Sequence, residues 1–249
     1  MGHDGNGQLA GAIARVRYEG SRLDVRGPRR RLTGRYIACP GGTETFGPGL
    51  EAPFAALLER RIGQSCVNLG ALNAGAGAHL GEAALLDICG RAERVVLQVT
   101  GAHGVSNRLF TVHPRRNDRF LKASPALRAL YPDIDFTEFC FTRHMLLALK
   151  SHDAERFETL REEMCTAWTM RMRKLISCLA PPVTLVVLPE RRGDGGLGED
   201  PLFVTHAMVE ALRPIVDGIV TAPRPHLPEA ARHRAVARAL GEVFARQAA

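Results

Sequence analysis

No apolar run in the 249 residues approaches the ~18 needed to cross a bilayer as a helix, so no membrane span is expected. The start, Met1-Gly2-His3-Asp4-Gly5-Asn6-Gly7, lacks the basic lead and apolar core of a secretory signal. Asn6 stands where a myristoylation start would carry Ser or Thr. The six cysteines (39, 66, 89, 140, 165 and 178) are scattered without a Cys-x-x-Cys pair, which argues against zinc or any other metal. Cys39, Cys66, Cys89 and Cys178 sit in apolar sequence, where a free thiol behaves as a small hydrophobe, and a reducing, cytoplasmic setting fits best. Aromatic residues make up only 6% and do not interleave with the basic ones, so nucleic acid is not an expected partner. No Gly-x-x-x-x-Gly-Lys-[Ser/Thr] loop is present, which leaves sulfuryl or phosphoryl transfer from an activated donor as the weakest functional class. No cofactor is expected.

What is present is an ordinary globular composition, 45% hydrophobic and 24% charged, on a chain long enough to bury a full core. The formal charge of +7 is concentrated. One cluster spans Arg26, Arg29, Arg30, Arg31 and Arg35; the other spans Arg115, Arg116, Arg119 and Lys122. Such clusters suit a polyanion, a phosphate or an acidic sugar, or form a solvated surface with local carboxylate partners.

Residues 1–34 read as a polar arm with an edge hairpin before Gly27-Pro28, and residues 35–249 as a single α/β domain. Strands are expected at Tyr36–Cys39, Ser65–Leu69, Arg94–Thr100, Val183–Leu188 and Ile215–Thr221. Helices are expected at Glu51–Ile62, His79–Cys89, Thr137–Leu149, Asp153–Leu179, Val204–Leu212 and Glu229–Arg246, on apolar spacing and glycine or proline punctuation. The 104–136 segment reads as a long irregular loop, a kind that tends to be functional. Alternating strands and helices imply a parallel sheet with right-handed crossovers. The expected fold is a three-layer α/β/α sandwich on a five-stranded, flavodoxin-like parallel sheet of order 2-1-3-4-5.

The most informative segment is Gly41-Gly42-Thr43-Glu44-Thr45-Phe46-Gly47, a glycine turn directly behind the apolar run Tyr36–Cys39. Ligands collect at the carboxyl edge of open α/β sheets, and a hydroxyl on such a turn is where a nucleophile is displayed. This segment resembles the first block of SGNH/GDSL-type hydrolases. Pro53–Leu58 followed by Val67-Asn68-Leu69-Gly70-Ala71-Leu72-Asn73-Ala74-Gly75 resembles their second block. Gly101-Ala102-His103-Gly104 stands at the third, and His226-Leu227-Pro228-Glu229-Ala230-Ala231-Arg232-His233 resembles the last. A closer resemblance, carried by Arg26–Arg30, Val112–Phe120 and Phe136–Phe139, is to an uncharacterised bacterial family with no assigned activity.

The resemblance implies an ester hydrolase or acyl-transfer enzyme acting on a small, anionic or carbohydrate-linked substrate. Thr43 would attack, His226 would take its proton, and the Glu44 backbone N–H, Asn73 and His103 would hold the oxyanion. Glu44, Asn68, Gly70, Arg115, Arg116 and Arg119 are the candidate substrate contacts. Four positions depart from the usual pattern: Thr43 replaces Ser, Asn73 the oxyanion glycine, His103 the third-block asparagine, and Pro223 the aspartate three before the histidine. Thr43 therefore also reads as a turn residue bonding its own backbone, His226 as an exposed residue ahead of a helix, and Glu44 as a surface acid. The competing function is a non-hydrolytic descendant binding an anionic glycan or metabolite through the arginines of the 113–119 loop. Asp200 and His206 form a further acid–base pair in the sequence, at a spacing that is no recognised signature.

Overall fold

The computed structural model describes residues 13–188, 196–222 and 227–248. Five apolar segments form its parallel sheet: β1 (Tyr36–Gly41), β2 (Ser65–Gly70), β3 (Arg94–Gln98), β4 (Val183–Val187) and β5 (Gly218–Thr221). They lie in the order β2-β1-β3-β4-β5, as the sequence predicts. All neighbours are parallel, with Tyr36 opposite Ser65, Ile37 opposite Arg94, Val95 opposite Val183 and Thr184 opposite Gly218. The strand order reverses between β1 and β3, so a crevice opens at their carboxyl ends.

The helices are α1 (Thr43–Phe46), α2 (Phe54–Ile62), α3 (Ala76–Leu80), α4 (Ala83–Gly90), α5 (Pro125–Leu130), α6 (Thr142–His152), α7 (Ala154–Ser177), α8 (His206–Glu210) and α9 (Glu229–Ala248). Because strand side chains alternate, Ile37, Cys39 and Val96 pack with Phe54, Leu58, Val236 and Leu240 of α2 and α9 on one face. Tyr36, Ala38, Val95 and Leu97 join Met164, Trp168 and Met172 of α7 on the other. The methionine-and-tryptophan stripe is thus core. Trp168 also donates its indole N–H to the Thr100 carbonyl at 2.7 Å, which ties α7 to the exit of β3.

Several elements differ from the sequence expectation. The helix expected at 79–89 is two helices; the chain between them carries Glu82, buried and accepting the Arg22 N–H at 2.7 Å and the Ser21 hydroxyl at 3.1 Å. The segment expected to be irregular holds an antiparallel pair, Phe110–Val112 with Phe120–Ala123, and helix α5. Ser124 caps α5 through the Leu127 N–H, with Pro125 at its first position. Helix α6 starts at Thr142 rather than Thr137 because Phe141 is extended and bridges Arg119, while the Cys140 carbonyl accepts the Phe120 N–H. Cys178, expected in apolar surroundings, is exposed at the end of α7.

The N-terminal segment contributes a two-residue antiparallel ladder, Arg15–Val16 with Val25–Arg26, and Val25 bridges to Ala71. Among the described residues no helix is long and apolar enough to cross a membrane.

Candidate functional site

The turn after β1 is fixed from several sides. The Gln98 side-chain oxygen, at the end of β3, accepts from the Gly42 N–H (2.9 Å), the Thr45 N–H (3.1 Å) and the Thr45 hydroxyl (2.6 Å). His79 meets the Gly41 carbonyl at 2.9 Å through Nε2. Buried Arg26 donates to the carbonyls of Phe46 (3.1 Å), Gly47 (2.6 Å), Leu50 (2.8 Å) and Glu51 (3.1 Å), which satisfies the end of α1 and the loop behind it. Removal from water lowers the Arg26 pKa. Arg26, read in the sequence as part of a polyanion-binding cluster, is thus an internal clamp.

On this turn Thr43 is half-buried at the mouth of a cavity of about 240 Å³. Its hydroxyl accepts the Asn73 backbone N–H at 3.0 Å and lies 3.4 Å from the Asn73 side-chain oxygen. Asn73 adopts a left-handed backbone (φ 57°), which asparagine tolerates better than most residues. The conformation turns both its N–H and its side chain toward Thr43. The structure therefore brings Thr43, Glu44, Asn73 and His103 to one cavity.

His103 sits on a short 3-10 turn, Ala102–Gly104, just past β3. A side chain at Gly101 would place its Cβ 2.6 Å from His103 Nδ1, so glycine is required for the ring to pack there. One part of the residue reaches solvent, but Nδ1 is shielded and has no hydrogen-bond partner among the described residues. Burial, reinforced by the Arg143 charge, pushes the imidazole down to about 3. At neutral pH His103 is an uncharged hydrogen-bonding group and too weak a base to activate a hydroxyl.

The cavity is also lined by residues the sequence did not single out together: Thr100, Asn117, Asp118, Phe141 and Arg143 join Asp200. Asp200 is buried and ion-pairs with Arg143. His206, its sequence-level partner, is exposed on α8 and does not line the cavity. Asn117 braces the site, accepting the Gly75 N–H at 2.8 Å and donating to the His113 carbonyl at 2.9 Å.

The remaining sequence candidates lie elsewhere. Asn68 donates to the Thr45 carbonyl at 2.7 Å and accepts the Gly70 N–H at 2.9 Å, and it lines a separate depression with Arg26, Arg30 and Arg60. A Cβ at Gly70 would lie 2.3 Å from the Phe46 nitrogen, so this residue lets β2 approach the turn. Arg115 and Arg116 do not line the cavity, and Arg116 is exposed. Arg119 does not line the cavity either; its guanidinium is 4.2 Å from the centre of the Phe141 ring, which does. His226 and Pro223 lie outside the described residues.

The described part of the last block does reach the site. Glu44, Glu229 and His233 each bring one polar atom to within 4.8 Å of the others, a spacing that invites a metal ion. His233 Nδ1, however, accepts the Phe54 N–H at 2.9 Å. The uncharged ring therefore carries its proton on Nε2, which is buried without a hydrogen-bond partner among the described residues. A metal-bound histidine would instead need an acceptor at Nδ1, so the trio is a donor facing two carboxylates. Burial, then the neighbouring Arg232, pushes His233 down to about 4.

Sheet and cavity together define an α/β sandwich with a polar pocket at the point where strand order reverses. The chain belongs to the family described as "Domain of unknown function (DUF6473)", whose model matches residues 1–249. No curated protein matches the chain. Among solved structures it is similar to a family two carbohydrate esterase from Clostridium thermocellum in complex with cellohexaose, at 13% identity and a TM-score of 0.44, over 90% of this chain and 67% of that one. It is also similar to a lipase from a goat rumen metagenome, at 9% identity and a TM-score of 0.39, over 86% and 96%. Similarity this distant brings no activity with it; activity has to be argued from the site.

Proposed function

We propose that the protein is an ester hydrolase or acyl-transfer enzyme with Thr43 as its nucleophile, acting on a small polar or carbohydrate-linked ester. The observation carrying this reading is the Thr43 hydroxyl, held 3.0 Å from the Asn73 N–H at the carboxyl end of β1 and opening into the cavity. In the proposed reaction Thr43 Oγ1 bonds to the ester carbonyl carbon. His226 accepts the hydroxyl proton and returns it to the departing alkoxide. Water, or a second alcohol in the transfer reaction, then cleaves the acyl-threonine by the same route. The oxyanion would rest on the Glu44 N–H, Asn73 and neutral His103. Support for His226 comes from the residues that follow it: Glu229 and His233 already meet Glu44, which lines the cavity.

The alternative is a non-hydrolytic pocket, favoured by the methyl group of Thr43, which restricts its rotamers and crowds an attacking geometry. Turnover of p-nitrophenyl acetate separates the two. Thr43→Ala should lose about a thousandfold in kcat/KM, while Thr43→Ser keeps or raises it. Wild-type protein no faster than Thr43→Ala would end the hydrolase reading.

A further inference from the structure

The depression that Asn68 shares with Arg26, Arg30 and Arg60 is a second concave site of about 210 Å³, and its lining has no residue in common with that of the Thr43 cavity. It lies between the chain at 26–30 and helix α2, whose Pro53, Ala56 and Arg60 recur at helical spacing along one stripe. Three guanidiniums line it against one carboxylate, that of the exposed Glu51. The carboxylate of Glu59, next to Arg60 in sequence, is already spent on Arg30 and on the Cys66 N–H, each at 2.8 Å.

Two of these cations have no counter-charge. Arg26 is only 8% exposed, and its four hydrogen bonds all go to neutral carbonyls. Carbonyls solvate a guanidinium without neutralising it, whereas buried charges are ordinarily paired. Arg60 has neither a hydrogen bond nor an ion pair among the described residues. The start of α2 adds to the excess of positive potential. Pro53 at its cap provides no side-chain acceptor, and the Phe54 N–H is taken by His233. The N–H groups of Ala55 and of Ala56, which lines the depression, have no partner among the described residues, and such a helix start carries a partial positive charge.

We propose that this depression binds a phosphate group, free or as a phosphomonoester, with Arg60 and Arg30 as its donors and Arg26 as the buried charge behind them. A guanidinium fork matches the oxygens of a phosphate, and the group brings about two negative charges near neutral pH, which answers two unpaired cations. At about 210 Å³, below the roughly 300–1,000 Å³ of drug-sized sites, there is room for the phosphate and part of one attached unit. Arg26 and Asn68 also hold the carbonyls of Gly47 and Thr45, so a phosphate bound to the native depression stabilises the turn that carries Thr43. The inference does not depend on the esterase reading, because Thr43 opens into the other cavity.

The test is calorimetric titration of inorganic phosphate, glucose 6-phosphate and glucose, at fixed ionic strength, into wild type, Arg60→Ala and Arg116→Ala. Arg116 belongs to the other basic cluster, is exposed, and does not line the depression. At least one phosphate-bearing probe should saturate a single site from which glucose does not displace it. Its affinity should fall about tenfold or more in Arg60→Ala, about 1.4 kcal/mol, and stay within about twofold of wild type in Arg116→Ala. Tighter binding of glucose 6-phosphate assigns the site to esters, and tighter binding of phosphate to the free ion; both uphold the proposal. No saturable binding of either probe to the wild type, displacement by glucose, an undiminished affinity in Arg60→Ala, or an equal loss in both variants would overturn it. Arg60 is exposed, and an unchanged melting transition in Arg60→Ala separates a lost site from a lost fold; the wild-type titration decides the matter even without the variant.

Discussion

The turn at 41–47 and the wall made by Thr100, His103, Asp118 and Asp200 face one cavity, yet their polar groups are treated in opposite ways. On the turn, one Gln98 oxygen takes three donors, and Arg26 satisfies four carbonyls. On the wall, four shielded polar atoms have no hydrogen-bond partner among the described residues. Saturated polar networks fix a conformation, whereas groups left without partners do not contribute to fixing it. The difference separates a side fixed by its own hydrogen bonds from a side that is not.

The largest break in this contrast should come from Arg26→Met. It removes the donor from four carbonyls, two of them at the end of the turn, and should cost about 3–5 kcal/mol in urea unfolding. A loss under about 1 kcal/mol would mean that the turn does not depend on this clamp. Next comes the donor behind Glu44. His233 has its folded pKa lowered to about 4 from an ordinary 6.5, so the folded state binds fewer protons than the unfolded one between those values. Its contribution is full above pH 6.5 and is lost as pH falls through 4, on the order of 3 kcal/mol in all. In His233→Gln, the slope of unfolding free energy against pH over that window should fall by up to one proton; an unchanged slope would assign the acid sensitivity to Glu44, Glu229 or other carboxylates. The smallest effect should be at the wall. Asp118→Asn removes a carboxylate with no ion-pair partner among the described residues and should shift stability by no more than about 0.5 kcal/mol, in either direction. A loss of 2 kcal/mol would place Asp118 with the fixed side.

Much of this was legible beforehand. Strands buried on both faces announce themselves as largely apolar runs without a polar face, such as Arg94–Thr100, and the reversal of order accords with the connection rules. Thr43, Asn73 and His103 were readable because each follows a strand directly, where chain position and location at the sheet edge coincide. Arg143, Phe141 and Asp118 were not, because they reach the cavity through the pairing of 119–120 with 140–141, which has no local signature. Arg26 and Arg116 look alike in sequence, both arginines in basic runs. One is buried against four carbonyls and the other is exposed, and only the tertiary position of the 46–51 loop distinguishes them. The split at Glu82 was hidden for the same reason: its partners, Ser21 and Arg22, are some sixty residues away.

Gln98 also bears on the order in which the molecule is assembled. Its oxygen holds the Gly42 and Thr45 amides across 56 and 53 residues, and contacts of such separation form only after the intervening loop has been closed. A chain emerging from the ribosome with β1 and β2 complete has the glycine turn but not the group that locks it. The presenting side of the cavity therefore sets only once β3 has docked beside β1, so a partly made chain carries Thr43 without yet carrying a site.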